Sequence, residues 1–181
     1  MEESIISKTF FSLKKRLETN NNVLILQLEE GYISEATCTF YDPISEEELV
    51  DFSNQIGYRL PDDYVAFLRL SNGCRLFDHP FYGGENYLYG LREIFQNTYE
   101  EPSDGYLKIG YFYQENIFID LKRYDTGEKN YLFVKEHIEQ FTQSRALQMN
   151  FEIWFDRFVI CQGTKFWNHA IFTADNYYTA R

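Results

Sequence analysis

Apolar side chains recur at two spacings along this chain, and the change from one spacing to the other marks its elements. Phe10, Leu13 and Leu17 fall on one side of a helix over 8–20 that Asn20-Asn21-Asn22 ends, with Lys14, Lys15 and Arg16 as a solvated basic edge. Val23 to Leu28 is a short apolar run of strand length. Glu29-Glu30-Gly31 turns the chain so that 32–41 pairs back on it. The stretch CRLF (74–77) and the segment from Tyr87 to Leu91 predict strands, 78–86 a loop, and 92–99 a helix. Leu107, Ile109 and Tyr111 alternate with Lys108, Gly110 and Phe112, and Ile117, Ile119 and Leu121 with Phe118, Asp120 and Lys122. With Tyr131 to Lys135 after a turn at 125–130, these predict an antiparallel meander. Phe151, Trp154, Phe155 and Phe158 then return to helical spacing, with Asn150 as cap and Gly163 as stop. The aromatic tail of Phe166, Trp167, Phe172, Tyr177 and Tyr178 is expected to dock.

The densest signals lie between Ile44 and Gly73. Ser45 and Glu48 have the spacing of a capping box, Ile44 and Leu49 that of a hydrophobic staple, and Glu46, Glu47 and Glu48 meet the positive end of the helix dipole. Leu49, Phe52 and Ile56 form the apolar face, and Gly57 ends it. Pro61, Asp62 and Asp63 open a second helix, whose Tyr64, Phe67, Leu68 and Ser71 share one face before Asn72-Gly73. Two such short amphipathic helices must lie against something larger.

The ordered set Ser45 to Leu49, Gly57, Leu60, Pro61, Tyr64, Phe67, Leu68, Asn72 and Gly73 resembles the signature of the SUKH superfamily, over about 42–162. That family includes fungal cell-wall synthesis regulators and bacterial immunity proteins. The resemblance implies an α+β fold, a central antiparallel sheet packed by helices. It also implies a protein-binding role without catalytic residues. The chain reads as a single domain over 1–181: an N-terminal helix and strand extension (1–41), the family core (42–162) and a docked tail (163–181).

Composition sharpens the choice of partner. The 181 residues carry a net charge of −11, with 44% hydrophobic and 19% aromatic residues, which fits a folded domain and disfavours direct contact with nucleic acid. The acidity falls in the first two thirds, because 131–181 hold equal numbers of each sign. A basic protein, such as a nuclease toxin with a cationic substrate groove, would be attracted to such a surface. Acidic and tyrosine side chains in the loops, Asp78, Tyr82, Glu85, Tyr87, Glu100, Glu101, Asp104, Tyr113 and Glu115, are the candidate partner-binding residues. Tyr99, Tyr106 and Tyr111 lie beside them.

Chemistry is not announced. Gly83-Gly84 lacks the lysine and spacing of a phosphate loop, the 100–105 loop lacks the alternating ligands of a calcium site, and His79, His137 and His169 have no metal-pair spacing. No cofactor or metal is expected. A Cys74–His79 thiol–imidazole pair and carboxylate pairs such as Glu100 with Glu115 or Asp78 with Glu85 are the remaining catalytic readings. Three widely spaced cysteines, Cys38, Cys74 and Cys161, suit reduced thiols. An opening unlike a secretory signal and the lack of a long apolar run place the protein in the cytoplasm with no membrane insertion. The expected function is toxin neutralisation by occlusion, with a regulatory scaffold in cell-wall synthesis as the alternative.

Overall fold

The structure is a computed structural model that describes residues 4–97, 105–171 and 173. Six helices and an eight-stranded antiparallel sheet follow one another as α1 (Ile5–Thr19), β1 (Leu24–Gln27), β2 (Ile33–Phe40), α2 (Glu46–Ile56), α3 (Asp62–Leu68), β3 (Cys74–Asp78), β4 (Asn86–Leu88), α4 (Leu91–Asn97), β5 (Tyr106–Phe112), β6 (Glu115–Asp120), α5 (Leu121–Asp125), β7 (Leu132–Glu136), β8 (Arg145–Ala146) and α6 (Phe151–Ile160). Strand order in the sheet is the order in the chain, β1 to β8, so every neighbour is antiparallel and no strand crosses over another.

Local chemistry accounts for the helix ends. Ser45 and Glu48 complete the capping box of α2 in both directions, and Gly57 (φ 72°) takes the left-handed conformation that ends it. Pro61 stands one place earlier than expected, as the cap of α3 rather than inside its first turn. The two helices are tied by an ion pair between Arg69 and Glu46 at 2.6 Å. The apolar face of α3 turns to α6, where Tyr64 and Phe67 meet Phe151 and Phe155 at ring distances of 4.9 and 5.3 Å. Helix α1 rests on β2 through Phe10 and Phe40, and on α6 through a 2.7 Å hydrogen bond from Thr9 Oγ1 to Asp156. Helix α6 reaches β3 and β5 where Phe158 meets Phe77 and Phe112. One hydrophobic core therefore runs from Ile6 to Trp167.

Three expectations shift. The second meander strand ends at Asp120, whose side chain accepts the amide of Arg123 and starts α5, so Leu121 and Lys122 are helical rather than part of the alternation. Residues 86–88 form β4, and Leu91 already belongs to α4. Helix α6 stops at Cys161 with Gln162 (φ 55°) left-handed ahead of Gly163. Of the tail, Trp167 is buried and Phe166 packs at the core edge. Phe172, Tyr177 and Tyr178 lie outside the described residues.

The β5–β6 hairpin turns on two residues, Tyr113 (φ 41°) and Gln114 (φ 69°), between the pair Phe112 and Glu115. Positive φ at both positions suits Asn-Gly far better than Tyr-Gln. Gln114→Gly is therefore expected to stabilise the fold by about 0.5–1 kcal/mol, the relieved strain less the added freedom of glycine in the unfolded chain. A rise in the urea midpoint without a change in slope is the check.

Candidate functional site

An open cleft of about 580 Å³ lies between the β1–β2 hairpin, the β3–β4 loop and the segment after α6. Strand alternation builds its floor. Leu26 on β1 pairs with Ser34 on β2, so these two and Ala36 present one face, and Phe77 and Asn86 continue it. On the hairpin side the lining includes Leu28, Glu29, Glu30, Tyr32 and Glu35, and on the other Gln162, Thr164, Lys165 and Asn168. His79, Gly83 and Tyr113 complete it.

The walls are fixed by charge. The carboxylate of Glu115, buried at the start of β6, accepts the Trp167 indole N–H at 2.8 Å and the Asn168 amide at 3.3 Å, and lies 3.5 Å from the Lys165 ammonium. Lys165 also donates to the Tyr113 carbonyl at 3.1 Å. These contacts hold the segment after α6 against the sheet. His79 Nδ1 accepts the amides of Phe81 and Tyr82, and its ring lies 4.6 Å from that of Tyr82. Phe81 and Tyr82, 84% and 89% exposed, thus stand at the lip, with Tyr32 exposed on the hairpin side. The Tyr113 hydroxyl is held above the usual phenol range by burial and then by Glu85 and Asp78. Backbone strain gathers here as well: Glu30, Phe77, Tyr113 and Gln162, all lining the cleft, have φ between 41° and 60°.

The candidate residues named from sequence separate into four groups. Tyr113 lines the cleft and its amide donates to the Glu85 carbonyl at 3.1 Å, while Tyr82 is exposed and contacts the lining residue His79. Asp78 and Glu115 are buried rather than rim residues. Asp78 holds Arg75 at 2.6 Å through one oxygen, and its other oxygen lies under Gly84, where a Cβ would approach to 2.5 Å. Tyr87 belongs to the opposite face of the sheet, below Arg75 and stacked on Tyr111. Glu100, Glu101 and Asp104, with Tyr99, lie outside the described residues. The hairpin residues Glu29, Glu30 and Tyr32, and Lys165, were not anticipated. A paired reading of the 23–41 hairpin with the chain after Gly163 would have been needed to find them.

The catalytic readings lose their geometry. Cys74 is in the core, where burial raises its thiol far above the ordinary range, while His79 faces the cleft. Burial likewise pushes Cys38 up to about 11. Asp78 is committed to Arg75 and Glu115 to Trp167, and among the described residues no three His, Cys, Asp or Glu side chains are grouped to hold a metal. No described helix is long and apolar enough to cross a membrane.

Comparison with known proteins agrees with the fold. Residues 43–157 match the SMI1 / KNR4 family (SUKH-1). Uncharacterized protein YobM of Bacillus subtilis (strain 168) is 30% identical over 189 residues, which cover 98% of this chain and 99% of that protein. Uncharacterized protein YnaB of the same strain is 34% identical over 136 residues, 75% of this chain and 90% of its own length. The hairpin wall of the cleft thus falls outside the family match but within the span shared with YobM. On the ordered signature, the antiparallel sheet with its helices and this match over more than half its length, the chain belongs to the SMI1/KNR4 family (SUKH-1).

Proposed function

We propose that this chain is a non-catalytic binding module of the immunity type, acting in the cytoplasm as a single domain that neutralises a basic toxin, best a nuclease, by covering its active surface. The carrying observation is the cleft, lined by the exposed Tyr32 with Glu29, Glu30 and Glu35, with Phe81 and Tyr82 exposed in the loop after the lining residue His79. Aromatic rings supply contact area that loses water on docking, and carboxylates around them select a cationic partner and speed its approach. Glu100, Glu101 and Asp104 remain candidate partner-binding residues.

The test is a pull-down of the purified protein with its neighbouring genes co-expressed. A toxin retained through a salt wash supports the reading, whereas recovery of wall-synthesis enzymes would favour a regulatory scaffold. With the partner in hand, reversing Glu29 and Glu30 to lysine is expected to slow association roughly tenfold or more at low salt and to flatten its salt dependence. An unchanged rate in stopped-flow mixing would remove the hairpin from the interface.

A further inference from the structure

The cleft has an apolar floor and walls whose charges are already engaged. Leu26, Leu28, Ala36 and Phe77 line an open volume of about 580 Å³, within the ~300–1,000 Å³ usual for sites that enclose a ligand. Lys165 is held by Glu115 and the Tyr113 carbonyl, and Glu29 and Glu30 each have a partner as well. Two half-buried hydroxyls remain on opposite sides, Ser34 on β2 and Thr164 after α6. Each donates to a backbone carbonyl, Ser34 to Glu35 at 3.3 Å and Thr164 to Cys161 at 2.9 Å, so each is left as an acceptor. A neutral aromatic occupant with an O–H at its tip fits this lining better than a charged one.

The chain carries such a segment beside the cleft. Asn168 lines one wall, and the 3₁₀ turn Phe166–Ile171 that contains it rises ~2 Å per residue, so Ile171 stands only about 6 Å further along. The following residues 172–181 read FTADNYYTAR, with three aromatic rings and one charge of each sign, Asp175 and Arg181. From Ile171 to Tyr177 an extended chain reaches about 20 Å, and a tether that short holds its end at an effective concentration of order millimolar, so weak contacts suffice. We infer that the cleft is filled by this chain's own segment 174–181, with the rings of Tyr177 and Tyr178 against the apolar floor and their hydroxyls donating to Ser34 and Thr164. Consecutive side chains of an extended segment face opposite sides, as two acceptors on opposite sides require. The inference concerns the free chain and does not rest on the toxin reading. A partner that enters the cleft has to displace the segment.

The experiment compares amide spectra of the full chain and two full-length variants. Tyr177→Ser with Tyr178→Ser is expected to shift the amides of Leu26, Ala36, Phe77 and Thr164. Ser34→Trp fills the cleft from its own wall and is expected to release the segment. The amides of 175–180 then move to random-coil positions, and chymotrypsin cuts after Tyr178 at least about tenfold faster, since cleavage follows the population of the open form. If the tryptophan disturbs the hairpin, the tyrosine variant decides alone, because its changes lie outside the core. Random-coil amides at 175–180 in the unaltered chain would overturn the inference. So would shifts that fall in the groove between α2 and α4, at Phe52, Leu91 and Phe95, in place of the cleft. Cleft shifts that grow with protein concentration would assign the cleft to the segment of a second copy and exclude the chain's own. Capture of a toxin is read separately, so failure here leaves the toxin reading standing, and failure there leaves this one.

Discussion

Trp154→Ala is expected to destabilise the protein by about 3–5 kcal/mol, a large share of the stability usual for a domain of this size. The indole is fully buried at the centre of α6, stacked on Phe158 at 5.2 Å, with Phe112 edge-on at 5.0 Å and Trp167 and Phe151 both at 5.9 Å. Alanine would open a cavity bounded by a helix, the middle of the sheet and the segment after α6, three parts that cannot all close in. Trp154→Phe separates ring packing from polarity. Among the described residues the indole N–H has no acceptor, so phenylalanine gives up area but also removes an unpartnered donor, and its expected cost is only about 1–2 kcal/mol. Urea unfolding measures both, and because the chain has two tryptophans, Trp167 still reports the transition in each variant. Equal losses for the two substitutions would mean that the N–H has an acceptor after all.

That core was largely readable from the chain, because its signals are local. Phe151, Trp154, Phe155 and Phe158 repeat at helical spacing whatever lies opposite them, and the Ser45–Glu48 box needs no tertiary partner. Where a residue's role is set by a distant segment, the same reading fails. Asp120 fits the strand alternation until its carboxylate caps α5, and Asp78 and Glu115 look like loop charges until Arg75, Trp167 and Lys165 are seen around them. An acidic residue in a loop and an acidic residue holding two segments together have the same letter and similar neighbours. The cleft was hidden for a related reason: its walls come from 24–36 and 162–168, more than a hundred residues apart, and neither carries a motif. Strand β8, two residues long, offered no period to detect.

Asp63 is the strongest case of a distant role, and it carries the second large expected effect. From sequence it favours the start of α3, and it does accept the Tyr64 amide at 2.9 Å. Its other oxygen accepts the Glu152 amide at 2.9 Å, in the first turn of α6, and Tyr131 donates its hydroxyl to Asp63 while accepting the Phe151 amide at 3.1 Å. Asn150 takes the Ile153 amide at 3.0 Å. The first three N–H groups of α6 are thus satisfied by three different residues, Tyr131 just before β7, Asp63 of α3 and the helix's own cap Asn150, and the Asp63 carboxylate also sits at the positive end of that helix. Burial and then the adjacent Asp63 raise the Tyr131 hydroxyl far beyond the usual phenol range, so it stays a donor at any working pH. Asp63→Ala would leave the Glu152 amide and the Tyr131 hydroxyl without partners at a part-buried junction, and the expected loss is about 2–4 kcal/mol. Tyr131→Phe removes both the donor to Asp63 and the acceptor for Phe151, with an expected cost of about 1–3 kcal/mol. Because the two side chains share one network, the double variant should fall short of the sum by about 0.5–3 kcal/mol. Additive losses in a urea double-mutant cycle would show that Asp63 and Tyr131 act separately, and that α3 and the residue ahead of β7 hold the start of α6 independently of one another.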